Sequence, residues 1–132
     1  AADGLLMPGE TALIDVTGDE DLASALTIAT MLVNTNDAFT GVTGWSVEGL
    51  EVGETWQQLA PIYDAGTEVN SEADDTMPGQ MGQGFNAERL DTNIVTRHPG
   101  VVTQADGYND SVLDESHKFD NGAIVIKVRR VL

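Results

Sequence analysis

The chain contains no cysteine, which excludes disulfides and thiolate metal sites but leaves the compartment open, because secreted bacterial proteins often do without it. Basic residues are scarce too: 6 Lys and Arg face 22 Asp and Glu, a formal charge of −16. Lysine occurs only at Lys118 and Lys127. A surface of this sign repels phosphate backbones, and so few bases cannot build a positive footprint, so no nucleic-acid partner is expected. The same field attracts cations. It reads either as solvation in salt or as a divalent-cation site. Aromatics make up 5%, leaving Ala, Val, Ile and Leu to fill the core. No apolar run approaches the ~20 residues of a membrane helix, so no transmembrane segment is expected. Ala1-Ala2-Asp3-Gly4 shows neither a basic segment nor an apolar h-region, so the chain is read as mature, processed or trimmed.

What is present suits one domain spanning 1–132, with an ordinary apolar fraction of 41%. Turn residues recur at short intervals: Pro8-Gly9, Asn34 to Asp37, Gly53, Ala65-Gly66, Pro78-Gly79, Pro99-Gly100, Gly107 and Asn121-Gly122. Short segments between frequent turns predict an all-β sandwich or barrel with long irregular loops. Residues 11–16 place Ala12, Ile14 and Val16 on one face and read as a strand. Residues 22–33 fit a buried helix or strand by period alone, and Thr27, Ile28, Thr30 and Val33 favour a strand from about Leu26. Trp45, Val47 and Val52 fit another. Residues 69–92 read as an irregular excursion. Asn93 to His98 and Ala123 to Val131 read as strands, the last with Ile124, Ile126 and Val128 on one face and Lys127 and Arg129 on the other.

Two stretches carry chemistry. In Met31-Leu-Val-Asn34-Thr-Asn36-Asp37-Ala-Phe39-Thr-Gly41 an apolar strand ends in a polar turn, and in Tyr63-Asp64-Ala65-Gly66-Thr67-Glu68 two carboxylates flank a flexible Ala-Gly. A hard cation such as calcium collects several carboxylate, amide and carbonyl oxygens. A glycine turn can aim two carboxylates at one point, and loops at one end of a sandwich bring Asp37 there. The alternative is an acidic, solvated loop.

These stretches resemble the paired signatures of spondin N-terminal-type domains, as in F-spondin, mindin and bacterial secreted proteins. Animal members carry a Pro-Asp-aromatic-aromatic-Gly segment followed by Tyr-Asp-Ala-Gly-Thr-Asp, and the interval from Asp37 to Asp64 fits the family. Met7-Pro8-Gly9-Glu10, Arg97-His98-Pro99-Gly100 and Phe119 to Ala123 extend the likeness over nearly the whole chain. The resemblance implies that it is an antiparallel β-sandwich, similar to synaptotagmin-type calcium-and-lipid-binding domains. It also implies calcium at Asp37, Asp64 and Glu68, with an amide oxygen from Asn36, and a secreted or cell-surface adhesion module acting on matrix, polysaccharide, lipid or protein. Glu68 stands where animal members have Asp. The family's opening strand has no counterpart before Met7. A separate segment is then expected to fill that edge, or a strand donated by another molecule, as in a filament subunit.

Other readings are weaker. His98 and His117, with Phe119 nearby, suggest copper. No nucleophile motif or phosphate-cradling glycine loop is present, and acids committed to calcium make poor general acids, so no enzyme is expected. Asp106 to Asp110 with Asp114-Glu115 suggest a second cation site or a solvated loop. Trp45 reads as core, and Trp56 is open between core and surface.

Overall fold

The computed structural model describes residues 4–18, 25–78, 84–89, 92, 94–120, 122 and 124–132. Asn93 and Ala123, the first residues of two expected strands, lie outside them, as do Gly79 and Asn121 of two expected turns. The chain is all-β, with two short 3₁₀ turns at Gln104–Asp106 and Glu115–His117. The strands are β1 (Ala25–Met31), β2 (Ala38–Ser46), β3 (Thr55–Ala60), β4 (Ile62–Asp64), β5 (Thr96–Arg97) and β6 (Ile124–Arg129). They form two antiparallel sheets, a four-stranded one in the order β1-β2-β4-β5 and a pair β3-β6.

The β-branched content of β1 and β6 explains their strand state, and their burial alternates as a half-covered sheet requires. Val42, Ala60 and Ile126 form the main core, with Ile28, Trp45, Ile124 and Val128 packed against it. This cluster draws on both sheets, so each covers the other's apolar face. Trp45, read as core, is partly buried and packs against this cluster. Ile126 is buried, while Lys127 and Arg129 face solvent. The β1–β2 register slips between Leu26 and Ile28. Gly44 accommodates the bulge at φ 60°, and its N–H reaches Thr27 Oγ1 at 3.1 Å.

Residues 11–16, expected as a strand, are not one. They are exposed, Leu13 at 88% and Val16 at 72%, and a period-2 pattern without a neighbouring edge to pair has no ladder to join. Conversely, Thr55–Ala60 and Ile62–Asp64 are strands that the pattern did not reveal. Both hold polar residues and are separated only by Pro61, and their strand state comes from pairing with β6 and β2. Val52 makes only an isolated bridge with Arg130.

The described residues of the irregular excursion are tied to the chain's C-terminal third. Met77, Val101 and Leu113 form a second core with Phe119 beside it. An Ala73–Ser111 bridge and a Val112 N–H bond to the Glu72 carbonyl (3.0 Å) close that lobe. No helix among the described residues is long and apolar enough to cross a membrane.

Candidate functional site

Ala38, the first residue of β2, pairs with Asp64, the last of β4. Antiparallel register therefore sets Asp37 and Asp64 side by side at one end of the larger sheet. From Asp64 the chain turns back over Asp37. Asp64 Oδ1 accepts the Gly66 N–H at 2.7 Å, an Asx-type turn. Asp37 Oδ2 then accepts the Thr67 N–H (2.7 Å), the Thr67 hydroxyl (2.8 Å) and the Glu68 N–H (3.0 Å). Gly66 is required at the bend, because it sits at φ 69° and a Cβ there would lie 2.5 Å from the Ile94 carbonyl oxygen.

The clamp ties the Glu68 backbone to Asp37, and all three expected carboxylates are buried: Asp37 and Glu68 are each 9% exposed and Asp64 4%. Glu68 Oε2 accepts the N–H of Asn86 at 2.7 Å. Asn86 Nδ2 donates to the Val69 carbonyl (2.8 Å) and Ser71 Oγ (3.3 Å). Asn36, expected to offer an amide oxygen to the cation, is used otherwise. Its Oδ1 accepts the N–H groups of Ser71 (2.9 Å) and Glu72 (3.0 Å), and its Nδ2 donates to Thr76 Oγ1 (3.0 Å). Both lone pairs of that oxygen are spent holding the 71–76 turn.

The inner side of the site is formed by residues that the motifs did not single out. Glu72 is wholly buried, and its Oε2 accepts the Val102 N–H at 3.0 Å. Burial pushes its carboxyl up to about 7 against the pull of that N–H, and the charges of Asp64 and Asp37 add to the rise. Asn70 Nδ2 donates to Asp64 Oδ2 at 2.9 Å. His98 is buried against Phe119, with ring centroids 5.4 Å apart. Its Nδ1 accepts the Gly100 N–H at 3.0 Å, so the proton of the neutral ring sits on Nε2. Burial holds this imidazole below its ordinary value, although Asp64 and Asp37 pull it the other way. The sequence held one hint of Glu72, which continues the four-residue interval from Asp64 to Glu68. Nothing local marks Asn70 or Asn86.

Among the described residues, four buried side-chain atoms have no hydrogen-bond partner: Asp37 Oδ1, Asn70 Oδ1, Glu72 Oε1 and His98 Nε2. All four belong to this one neighbourhood. None of Asp37, Asp64, Glu68 and Glu72 has an ion-pair partner among the described residues, where the ion pairs join Lys118 to Asp106 and Glu115, and His117 to Asp114. Unpaired buried acids and free oxygens are the donor set that a hard cation needs. In this geometry one oxygen of Asp37 and one of Glu68 are engaged by protein N–H groups, and both oxygens of Asp64 are, by Gly66 N–H and Asn70 Nδ2. Among the described residues no group of three or more His, Asp or Glu side chains is arranged to hold a metal ion as it stands. The donor chemistry fits calcium, and the coordination sphere is not preformed.

The second acidic stretch is differently balanced. Lys118 Nζ lies 2.9 Å from Asp106 Oδ1 and 3.1 Å from Glu115 Oε1, and Asp114 caps the turn that carries His117. Bonds from Lys118 and Thr103 hold the Asp106 carboxyl below its usual range, and bonds from Ser116 and His117 do so for Asp114. His117 is exposed, with Nδ1 2.9 Å from Asp114 Oδ1, whereas His98 is buried in the acidic site. Trp56 is half-buried and pairs across to Val128, its Nε1 donating to Glu54 Oε1 at 2.8 Å.

The chain matches no protein-family model, no curated protein and no solved structure.

Proposed function

We propose that this chain is a secreted, non-catalytic interaction module of spondin N-terminal type that binds calcium through Asp37, Asp64 and Glu68. On this reading the two facing sheets are a sandwich of the synaptotagmin kind. The observation that carries the proposal is that Asp37 and Asp64 lie side by side at the β2 and β4 ends with Glu68 on the turn clamped to Asp37, all three buried and without an ion-pair partner among the described residues. Calcium, when bound, supplies the missing positive charge and draws on six to eight oxygens. Asp37 and the Asp64–Glu68 turn hold those oxygens in place through the clamp on Thr67 and Glu68. The matrix, polysaccharide, lipid or protein that the module contacts is implied by the resemblance alone.

Elemental analysis and calorimetry of the purified protein test this together. Near-stoichiometric calcium is expected, and calcium at about 100-fold above its Kd raises the Tm by roughly 5–10 °C over chelated protein. Copper in place of calcium would move the assignment to His98 and His117. Absence of both, with an unchanged Tm, rejects the metal-binding module.

A second reading, self-association through a donated strand, is favoured by the exposed, unpaired 11–16 segment and by the edge positions of β1 and β5. Light scattering across a concentration series decides it, since a monomer throughout excludes a filament subunit.

A further inference from the structure

We infer that Glu72 and Asn70 are inner ligands of the same cation site, contributing the Glu72 carboxylate and the Asn70 amide oxygen beside Asp37 Oδ1. The inference rests on the calcium reading of Asp37, Asp64 and Glu68, and adds ligands which neither the motifs nor the resemblance supply.

The argument is one of repeated geometry. Three neighbouring side chains are each positioned through one polar atom while the other is left free and buried. Asp37 is fixed through Oδ2 by three donors and leaves Oδ1. Glu72 is fixed through Oε2 by Val102 N–H and leaves Oε1. Asn70 is fixed through Nδ2, which donates to Asp64 Oδ2, and leaves Oδ1. A buried acceptor without a donor is rare in folded proteins, and here one belongs to Asp37, one to the Asn70 that is bonded to Asp64, and one to the Glu72 on which the charges of Asp64 and Asp37 act. All are hard oxygens and two are carboxylate oxygens, so one divalent cation satisfies them together. His98 offers its Nε2 proton from the same wall, a donor suited to a ligand oxygen or a coordinated water rather than to the cation.

Glu72 also joins the site to the second core. Its carbonyl accepts Val112 N–H, and its carboxylate accepts Val102 N–H. A cation held by Glu72 therefore braces the 101–113 segment as well as the 64–68 turn, and the amides of Val102 and Val112 should exchange more slowly when calcium is bound.

Calcium titration calorimetry on wild type, Glu72→Gln and Asp64→Asn, with carboxyl 13C NMR of wild type, tests the assignment. The Gln amide oxygen retains an acceptor for Val102 N–H, so a purely structural role survives the substitution. Glu72→Gln should lower calcium affinity at least roughly tenfold, and the wild-type Glu72 carboxyl resonance should move on calcium addition. Wild-type affinity in Glu72→Gln overturns the inference. So does a Glu72 carboxyl that stays unmoved or protonated while Asp37 and Asp64 respond. The NMR arm decides the matter even if the variant fails to fold. Wild type that takes up no calcium removes the calcium reading itself, an outcome distinct from either.

Discussion

Asp37 is the keystone of the 64–68 turn, and its two substitutions should separate geometry from charge. Asp37→Ala removes the acceptor of Thr67 N–H, Thr67 Oγ1–H and Glu68 N–H. The hydroxyl can rotate, but the two backbone N–H groups are fixed, and a buried donor left unpaired costs about 1–3 kcal/mol. The expected loss is about 2–5 kcal/mol, offset in part because one of several crowded carboxylates is gone. Asp37→Asn keeps an oxygen in the Oδ2 position. Its neutral hydrogen bonds are about half as strong as the charge-assisted ones, and it too relieves the repulsion with Asp64 and Glu72. In calcium-free buffer it should therefore stay within about 1 kcal/mol of wild type. Urea denaturation reads the difference. At slopes of about 1–3 kcal/mol/M the Ala variant should lose on the order of 1–2 M in midpoint, and the Asn variant far less. Calcium should then raise the midpoint of wild type and leave both variants nearly unmoved. Equal midpoints for the two variants without calcium would refute the clamp.

Glu72 and His98 set a pH dependence in calcium-free protein. Glu72 titrates near 7 when folded against an ordinary 4.5, so the folded state holds its proton more tightly and stability falls as pH rises through that window, by up to about 3 kcal/mol. The depressed His98 acts oppositely, removing stability as pH falls below its ordinary 6.5; between pH 6.5 and 8, where His98 contributes little and only the last part of the Glu72 titration falls, wild type should lose on the order of 1 kcal/mol in urea titrations while Glu72→Gln stays flat, and a parallel decline in both would falsify the assignment. Gly66→Ala forces a Cβ against the Ile94 carbonyl at a positive φ, so thermal denaturation should show a loss of roughly 2 kcal/mol or more, and an unchanged Tm would mean that the bend is not as described. Asn86→Ala strips two bonds donated by its amide and the one accepted from Glu88 N–H, and calorimetry should record a cost of about 1–3 kcal/mol with weaker calcium binding through a loosened Glu68.

The pairing of the acidic turn at Asp64–Glu68 with Asp37, 27 positions away, was implied by the resemblance. Local pattern alone carried the all-β class, the strands beginning near Leu26 and Ala123, and the acidic turn at Asp64–Glu68. Each of these depends on residues within a few positions of one another: β-branched runs, period-2 alternation, and a glycine between two acids. Tertiary structure decided the rest. Thr55–Ala60 and Ile62–Asp64 are strands because β6 and β2 offer them edges, while 11–16, with a better pattern, has no strand partner among the described residues and stays exposed. Asn36 turned from ligand to brace because the 71–72 backbone folds onto its oxygen. Glu72, Asn70 and His98 became the inner wall through contacts that depend on where Val102 and Gly100 lie, some thirty positions beyond Glu72 for the first. Burial and hydrogen-bond satisfaction are properties of what the rest of the chain packs around a side chain, and no spacing along the sequence encodes them.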